Sequence, residues 1–408
     1  MPLRALVPLT IGIVLVSTIV GIYFAPGVVA TAYGALFFLI PVWLPLALCA
    51  LAWPLWLTFI RSRFVARIPY VTLELKPGQD TPETARAMEL VFYSLYHRTD
   101  IGRKDAFLHG KMQTPYSVEL YAHDNRVRFF IHLPERERVV VEDRIRAEYR
   151  DVEIHKVSDY SRELHFHPLS MRILMREYSL VKPDPYPIKT YAAYEEAPKK
   201  RDVFGEVVES LANVSSNEHV FLSLIIRPHQ RERKTLFEHP RSSLHDTARA
   251  EIRQLVGAQG NIAVLPPSTQ RTVKEIELAL TKPSFDCGFR AVYIADRGHF
   301  NESSFSRLEH LLEPFNSQDR NGFKAYDPNH QKGFFVSEIL SAVPILAGTR
   351  LLDLYRRRAF FAPPYYGIPF ILNTEELATV FHLPRVTRGS VFARMREASL
   401  EPPENLPV

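Results

Sequence analysis

Cysteine is nearly missing from this chain: Cys49 and Cys287 are the two in 408 residues. One lies in an apolar stretch and the other in a strand-like run far away, so neither a disulfide framework nor a thiolate zinc site can be built. Such usage suits a reducing compartment. Several motifs that carry common chemistry are also absent. There is no G-x-x-x-x-G-K-[ST]; the nearest text, His109-Gly110-Lys111-Met112, lacks both the upstream glycine and the hydroxyl that would hold Mg²⁺. G-x-S-x-G, H-E-x-x-H and G-x-G-x-x-G do not occur either. Nucleotide hydrolysis is therefore not expected, no cofactor is implied, and the chain reads as a non-enzyme.

Charge is missing too, from Ala5 to Ile60, with only Arg4 ahead of it. Leu6–Phe24 and Ala35–Ile60 are each long enough for the ~20 residues that cross hydrocarbon. Trp43 and Trp56 are placed as interfacial anchors, and Pro41, Pro45 and Pro54 predict kinks in the second span. Arg4 precedes the first span, Arg61, Arg63 and Arg67 follow the second, and the ten residues between carry no charge. By the positive-inside rule residues 1–65 form a transmembrane hairpin, making a multi-pass protein of a bacterial inner membrane with its remainder in the cytoplasm. A cleaved signal peptide is the rival, since Ala30-Thr31-Ala32 has small-x-small character. The apolar run exceeds the ~7–15 residues of an h-region.

Beyond Pro69 the chain becomes periodic. Val71–Lys76 alternates as a half-buried strand, Thr81-Pro82-Glu83 opens a helix, and Tyr116–Ala122 and Val127–Leu133 flank a turn at His123–Arg126. A second helix from Pro134 to Tyr149 and a strand at Val152–Val157 complete β-α-β-β-α-β. Residues 66–160 thus read as a ferredoxin-like unit. Residues 161–330 read as a second, looser unit with a helical insertion: extended segments in Ser179–Tyr194, a helix at Val203–Leu211, and strands at Val220–Arg227 and Phe289–Ile294. Helices near Thr247–Val256 and Val273–Leu280 form the insertion, and Ser304–Phe315 and Gly322–Tyr326 close the unit. One continuous α+β domain is the plainer alternative. Residues 195–201 and 361–369 read as linkers. Residues 331–408 hold a helix from about Ser337, the string at 371–384, and a connector from Ser399.

Candidate site residues are few. Glu163, His165 and His167 would share one face of a strand, but two histidines without a third strong ligand are more simply ordinary side chains. Asp159-Tyr160 is explained equally by a turn cap. The net charge is +5, from 50 Lys+Arg against 45 Asp+Glu. Basic groups at Arg61, Arg63, Arg67, Arg356, Arg357 and Arg358 are candidates for phosphate or lipid contact. The groups Arg227, His229, Arg231, Arg233 and Lys234, and Arg385, Arg388, Arg394 and Arg396, extend the basic tracts. Interspersed acids dilute them all, which leaves nucleic-acid contact open.

The most specific text is Ile371–Pro384, ILNTEELATVFHLP. Physically it is a short strand, an Asn cap with Glu three residues on, and one amphipathic helix stopped by Pro. It resembles the "LNTEELA…HxP" segment of membrane-anchored, conjugation-type DNA-translocating ATPases of bacteria, relatives of type IV secretion coupling proteins. Ile145–Ile154 with Asp159-Tyr160 is similar to their "YAQYPDAEI…DY", although Arg146 and Arg150 stand where that text has Gln and Pro. Phe315-Asn316 with Asn321-Gly322-Phe323-Lys324 is similar to their "FN…NGFK", and Glu401–Pro407 to their "PPxNLP". In that family the nucleotide-binding core begins about where this sequence stops. The resemblance therefore implies a platform that docks a separate P-loop ATPase, with Asn373, Thr374, Glu375, Glu376, Leu377, Phe381 and His382 as partner contacts. The lipid bilayer is a further expected partner, and self-association is open. A membrane-tethered ligand sensor is the alternative.

Overall fold

The computed structural model describes residues 26–78, 84–149, 151–196, 202–229, 244–257, 265–328, 344–363 and 365–384. The chain divides into two compact units, Met1–Ile60 and Arg61–Val408. Helices α1 (Pro26–Phe38) and α2 (Ile40–Ala66) begin the described chain. The stretch expected to be a loop is thus helical from Pro26, whose fixed φ suits a first turn. Within α2, Pro54 lacks the N–H that would donate to the carbonyl one turn earlier, and Thr58 Oγ1 donates to the Pro54 carbonyl at 2.8 Å. This helix has a mean hydropathy of 1.8 over its best window and is the one candidate membrane span among the described residues. The expectation of a multi-pass inner-membrane protein is corrected accordingly. Leu6–Phe24, the other half of the expected hairpin, lies outside the described residues.

The second unit is mixed α+β around a nine-stranded antiparallel sheet. In chain order it runs β1 (Tyr70–Lys76), α3 (Thr84–Ser94), α4 (Arg103–Leu108), β2 (Tyr116–His123), β3 (Arg126–Pro134), α5 (Arg138–Glu148) and β4 (Glu153–Val157). Then come β5 (Met171–Leu180), α6 (Tyr191–Glu195), α7 (Val203–Leu211), β6 (Glu218–Pro228), α8 (Leu244–Val256), α9 (Pro267–Thr281), β7 (Ser284–Asp296), α10 (Glu302–Glu309) and β8 (Phe323–Tyr326). Last are α11 (Pro344–Arg356), β9 (Phe361–Ala362), β10 (Tyr365–Tyr366), β11 (Phe370–Asn373) and α12 (Thr374–Val380). The strand order is β4-β1-β3-β2-β6-β7-β5-β8, with β11 also on β7. The 13-residue β7 is long enough to pair β6 along one side and both β5 and β11 along the other.

Alternation assigns the two faces. Val71, Leu73, Val118, Leu120, Leu222, Leu224 and Phe289 point to one side, where α3, α5, α7, α10 and α12 cover them in the main core. Each large aliphatic or aromatic side chain removed from water there contributes about 1.5–3 kcal/mol. The other face carries Phe130, Phe221, Met175 and Val292 beneath Leu351, Leu352 and Tyr355 of α11. Beside them Ile225 lies under Phe360, Phe361 and Tyr365.

Three sequence expectations change here. The fifth strand is Met171–Leu180, not an extended run through Tyr194, because it pairs with β7 along Met171–Tyr178 and is buried on both faces, Ile173 and Met175 toward α11 and Tyr178 toward the main core. The polar stretch 99–114 contains the short helix α4. Residues 361–369 are no linker: Phe361 and Tyr365 are buried, and the β9–β10 pair packs over the sheet. Of the linker expected at 195–201, residues 197–201 lie outside the described residues, as do the expected helix opening at 81–83 and the tail from Ser399.

Candidate functional site

The face beneath α11 concentrates the chain's buried charge. Register places Glu74, Phe130 and Glu119 side by side on β1, β3 and β2. Ser223, Arg290 and Glu177 continue the same row on β6, β7 and β5. Residues directly opposite share a face, so four ionisable groups line one transverse rung of the sheet.

Arg128 pairs with Glu74 at 2.7 Å, and two networks neutralise the other three. Arg358, the second residue after α11, forks Nε and Nη2 onto the two Glu119 oxygens at 2.9 and 3.0 Å. Its Nη1 and Nη2 also reach Asp159 at 2.5 and 2.9 Å. Tyr160 donates to Glu119 at 2.8 Å and lies 2.6 Å from the Tyr355 hydroxyl. Arg358 adopts φ +48, a left-handed conformation that costs a non-glycine residue about 1–2 kcal/mol. The four charge-assisted bonds hold it there. Burial raises the Glu119 carboxyl, but Arg358 outweighs it and leaves the group below its ordinary range. At Asp159 burial also acts upward, and bonds from Arg358 draw the carboxyl down to about 2.

In the second network Arg290 and Glu177 are both fully buried. Glu177 Oε1 accepts Arg290 Nε and Nη2 at 3.0 and 2.6 Å. Oε2 accepts the hydroxyls of Tyr326 and Tyr365 at 2.8 and 2.7 Å. The carboxylate is thereby saturated, as a buried charge requires. Arg290 also donates to the carbonyls of Leu354 and Ala359, tying the end of α11 to the sheet. Phe360 lies against Gly288 and Gly367, where a Cβ would fall 2.4 and 2.3 Å from its ring. Only glycine admits that approach.

Beyond α11 the row's neighbours are half-exposed. His123 and His219 are register partners on β2 and β6, with ring centroids 4.1 Å apart and planes 13° from parallel. His123 Nδ1 lies 3.0 Å from the Glu218 carbonyl, and His219 Nδ1 lies 2.9 Å from the Tyr121 hydroxyl. Burial, with His123 beside it, lowers the His219 imidazole to about 4.

The string at 371–384 is used internally. Strand β11 pairs with Ser284–Cys287 of β7. The Asn373 side chain accepts from Glu375 N and Glu376 N, both at 3.0 Å, while Glu376 Oε2 accepts Asn373 N at 2.9 Å. This is the capping box expected from the sequence. Glu376 Oε1 accepts Ile188 N at 2.9 Å, and burial raises this carboxyl to about 7. His382 lies between the Ala378 carbonyl and Asp202, and Phe381 packs on Phe204 and Phe129. Asn373, Thr374, Glu376, Leu377, Phe381 and His382 are all buried. Only Glu375 is half-buried, bound to Lys282 at 2.6 Å. These side chains are thus engaged within the chain's own fold.

The expected basic contacts divide. Arg358 is buried, and Arg356 donates to the carbonyls of Ser161 and Leu164. Arg357 stays exposed beside Asp353. Arg63 and Arg67 are exposed and Arg61 is half-buried. Arg227 and His229 both grip Asp286, at 2.9 and 2.7 Å, while Arg231, Arg233, Lys234, Arg385, Arg388, Arg394 and Arg396 lie outside the described residues. Glu163, His165 and His167 sit in an exposed irregular segment rather than a strand, and no three potential metal ligands cluster among the described residues. The Cys287 thiol, buried and pushed far above its usual range, is a poor nucleophile.

Compared with known proteins, the chain matches no family model and no curated sequence. Sequence reading missed Glu119, Glu177 and Arg290. The available signal was a charge within an otherwise apolar run, as at Arg290 in Gly288–Ala295; Glu119 shares the polar phase of Ser117–Ala122 and reads as outward.

Proposed function

We propose that this chain is a non-catalytic platform in a DNA-translocating machine of the conjugation or type IV secretion kind, working with a separate P-loop ATPase. The resemblance in the 371–384 string motivates the reading, and one observation carries it. That string is built into the body: β11 is hydrogen-bonded to β7, and α12 is buried against α3 and α7. A load on the chain beyond Pro384 is therefore borne by the central strand of a braced sheet. Arg290, through the Leu354 and Ala359 carbonyls, and the Arg358–Glu119 pair favour the same reading, because they join the end of α11 and its following turn to β7 and β2.

We also read the sheet as two ferredoxin-like units fused edge to edge. The order β4-β1-β3-β2 is mirrored by β8-β5-β7-β6, and each half runs β-α-β-β-α-β if α8 and α9 are taken as an insertion. The seam is the β2–β6 pairing from Tyr116–Ile226 to His123–His219.

Crosslinking in intact cells, mild detergent extraction and identification of partners tests the assignment. A P-loop ATPase crosslinked to exposed residues of this chain is the expected result. Recovery of the intact, folded chain without any such ATPase would sink it.

A further inference from the structure

The His123–His219 pair has a geometry that neither the platform reading nor the buried networks use. The two imidazoles are brought together by strand pairing from positions far apart in sequence, so their juxtaposition is fixed by the sheet and not by a loop. Each ring is oriented through Nδ1, one on the Glu218 carbonyl and one on the Tyr121 hydroxyl. Glu218 is itself pinned, its carboxylate accepting from the Tyr293 hydroxyl and from Ser215 N and Oγ. Each Nδ1 is thus engaged, as in the outer shell of a metal-ligating histidine, which leaves Nε2 as the ligating nitrogen of both rings. Among the described residues neither Nε2 has a hydrogen-bond partner, and both rings are half-exposed.

We propose that His123 and His219 form a cross-strand site for a late first-row transition-metal ion, Cu²⁺ or Zn²⁺, with water completing the coordination. Imidazole suits these ions, and neutral imidazole is the ligating form. Bond lengths of about 2.0–2.1 Å to each nitrogen require the two nearly parallel rings to turn inward about their soft χ2 torsions. Asp296 exerts its field on His219 and favours a cation there. With two protein ligands instead of the three or four of a closed site, binding is reversible and accessible to small chelators.

The test uses the full chain in detergent, carrying no histidine tag. Titration with Cu²⁺ at pH 7.5 is followed by electron paramagnetic resonance, with zinc measured by calorimetry. One ion per chain and a two-nitrogen coupling pattern are expected. His123→Gln and His219→Gln should each weaken binding at least tenfold, and His165→Gln/His167→Gln should leave it unchanged. In case the single variants fold poorly, copper–ascorbate oxidation of the unaltered protein, mapped by mass spectrometry, should mark His123 and His219 first. Oxidation centred on His165 or His167, or unchanged stoichiometry and coupling in folded His123→Gln/His219→Gln, would overturn the proposal. So would no binding at 100-fold excess of ion.

Discussion

Replacing Glu177 by Gln isolates the charge of a buried pair from its shape. In the native protein Oε1 takes two bonds from Arg290 and Oε2 takes two from Tyr326 and Tyr365. Glutamine placed with its oxygen toward Arg290 and its amide toward the tyrosines keeps the volume. Both hydroxyls can turn to accept, so geometry is preserved while the negative charge is lost. Arg290 is fully buried and its remaining partners are carbonyls. An uncompensated charge there should cost about 3–5 kcal/mol. Tyr326→Phe, by comparison, removes one bond to a charged acceptor and should cost about 1.5–3 kcal/mol. Tryptophan fluorescence cannot report this, because Trp43, Trp53 and Trp56 all lie in α2. Hydrogen exchange at the amides of β5 and β7 can, and a loss of 3–5 kcal/mol lowers protection by about 10²–10³·⁵. Glu177→Gln no more damaging than Tyr326→Phe, or below about 1 kcal/mol, would refute the reasoning.

Other outcomes are as definite. Glu376→Gln should destabilise by about 1–3 kcal/mol despite its matching shape, because both carboxylate oxygens accept backbone N–H groups and an amide nitrogen cannot; urea unfolding followed by circular dichroism measures this. Since the folded Glu376 carboxyl sits at about 7, above its ordinary 4.5, its contribution to stability declines as pH rises from 4.5 to 7; melting temperatures across that window should flatten in Glu376→Gln. Asp159 behaves oppositely: held near 2 against an ordinary 3.8, it contributes fully above pH 4 and loses this as pH falls toward 2, and Asp159→Asn should remove that acid limb. Gly288→Ala should cost about 1–3 kcal/mol through the clash with Phe360, and Phe360→Leu should restore part of it in the double variant, as read from the shift in urea midpoint.

How much of the fold and site is legible in the sequence depends on the range of the signal. The strands β1, β2, β3 and β4 are readable because inward and outward residues alternate within a few positions, and the capping box because Asn373 and Glu376, three positions apart, specify it. Contacts made across the sheet are not. Arg358 lies in an arginine run that looks like a solvated helix end, yet its partners Glu119 and Asp159 come from β2 and the turn after β4. His123 closes a hairpin and His219 opens β6, and nothing local to either marks the other. His165 and His167 are the histidines that stand out in the sequence, and their spacing suits a strand that does not form. The string at 371–384 is as specific as it reads, but its specificity serves packing within this chain. Helix α2 is legible from hydropathy alone, whereas the helical start at Pro26 is hidden by glycines and β-branched residues that disfavour helix in water.

The length of β7 sets a limit on how this protein can be cut. Without β11, the backbone of Ser284–Cys287 would lose its neighbour on one side, and an unpaired strand edge recruits other chains. The apolar surfaces that Phe370, Leu372 and Leu377 cover in the main core, Phe285 and Phe323 among them, would be exposed with it. Truncation upstream of Phe370 should therefore yield aggregates. A binding activity lost on such truncation would record collapse of the body instead of removal of a docking tail.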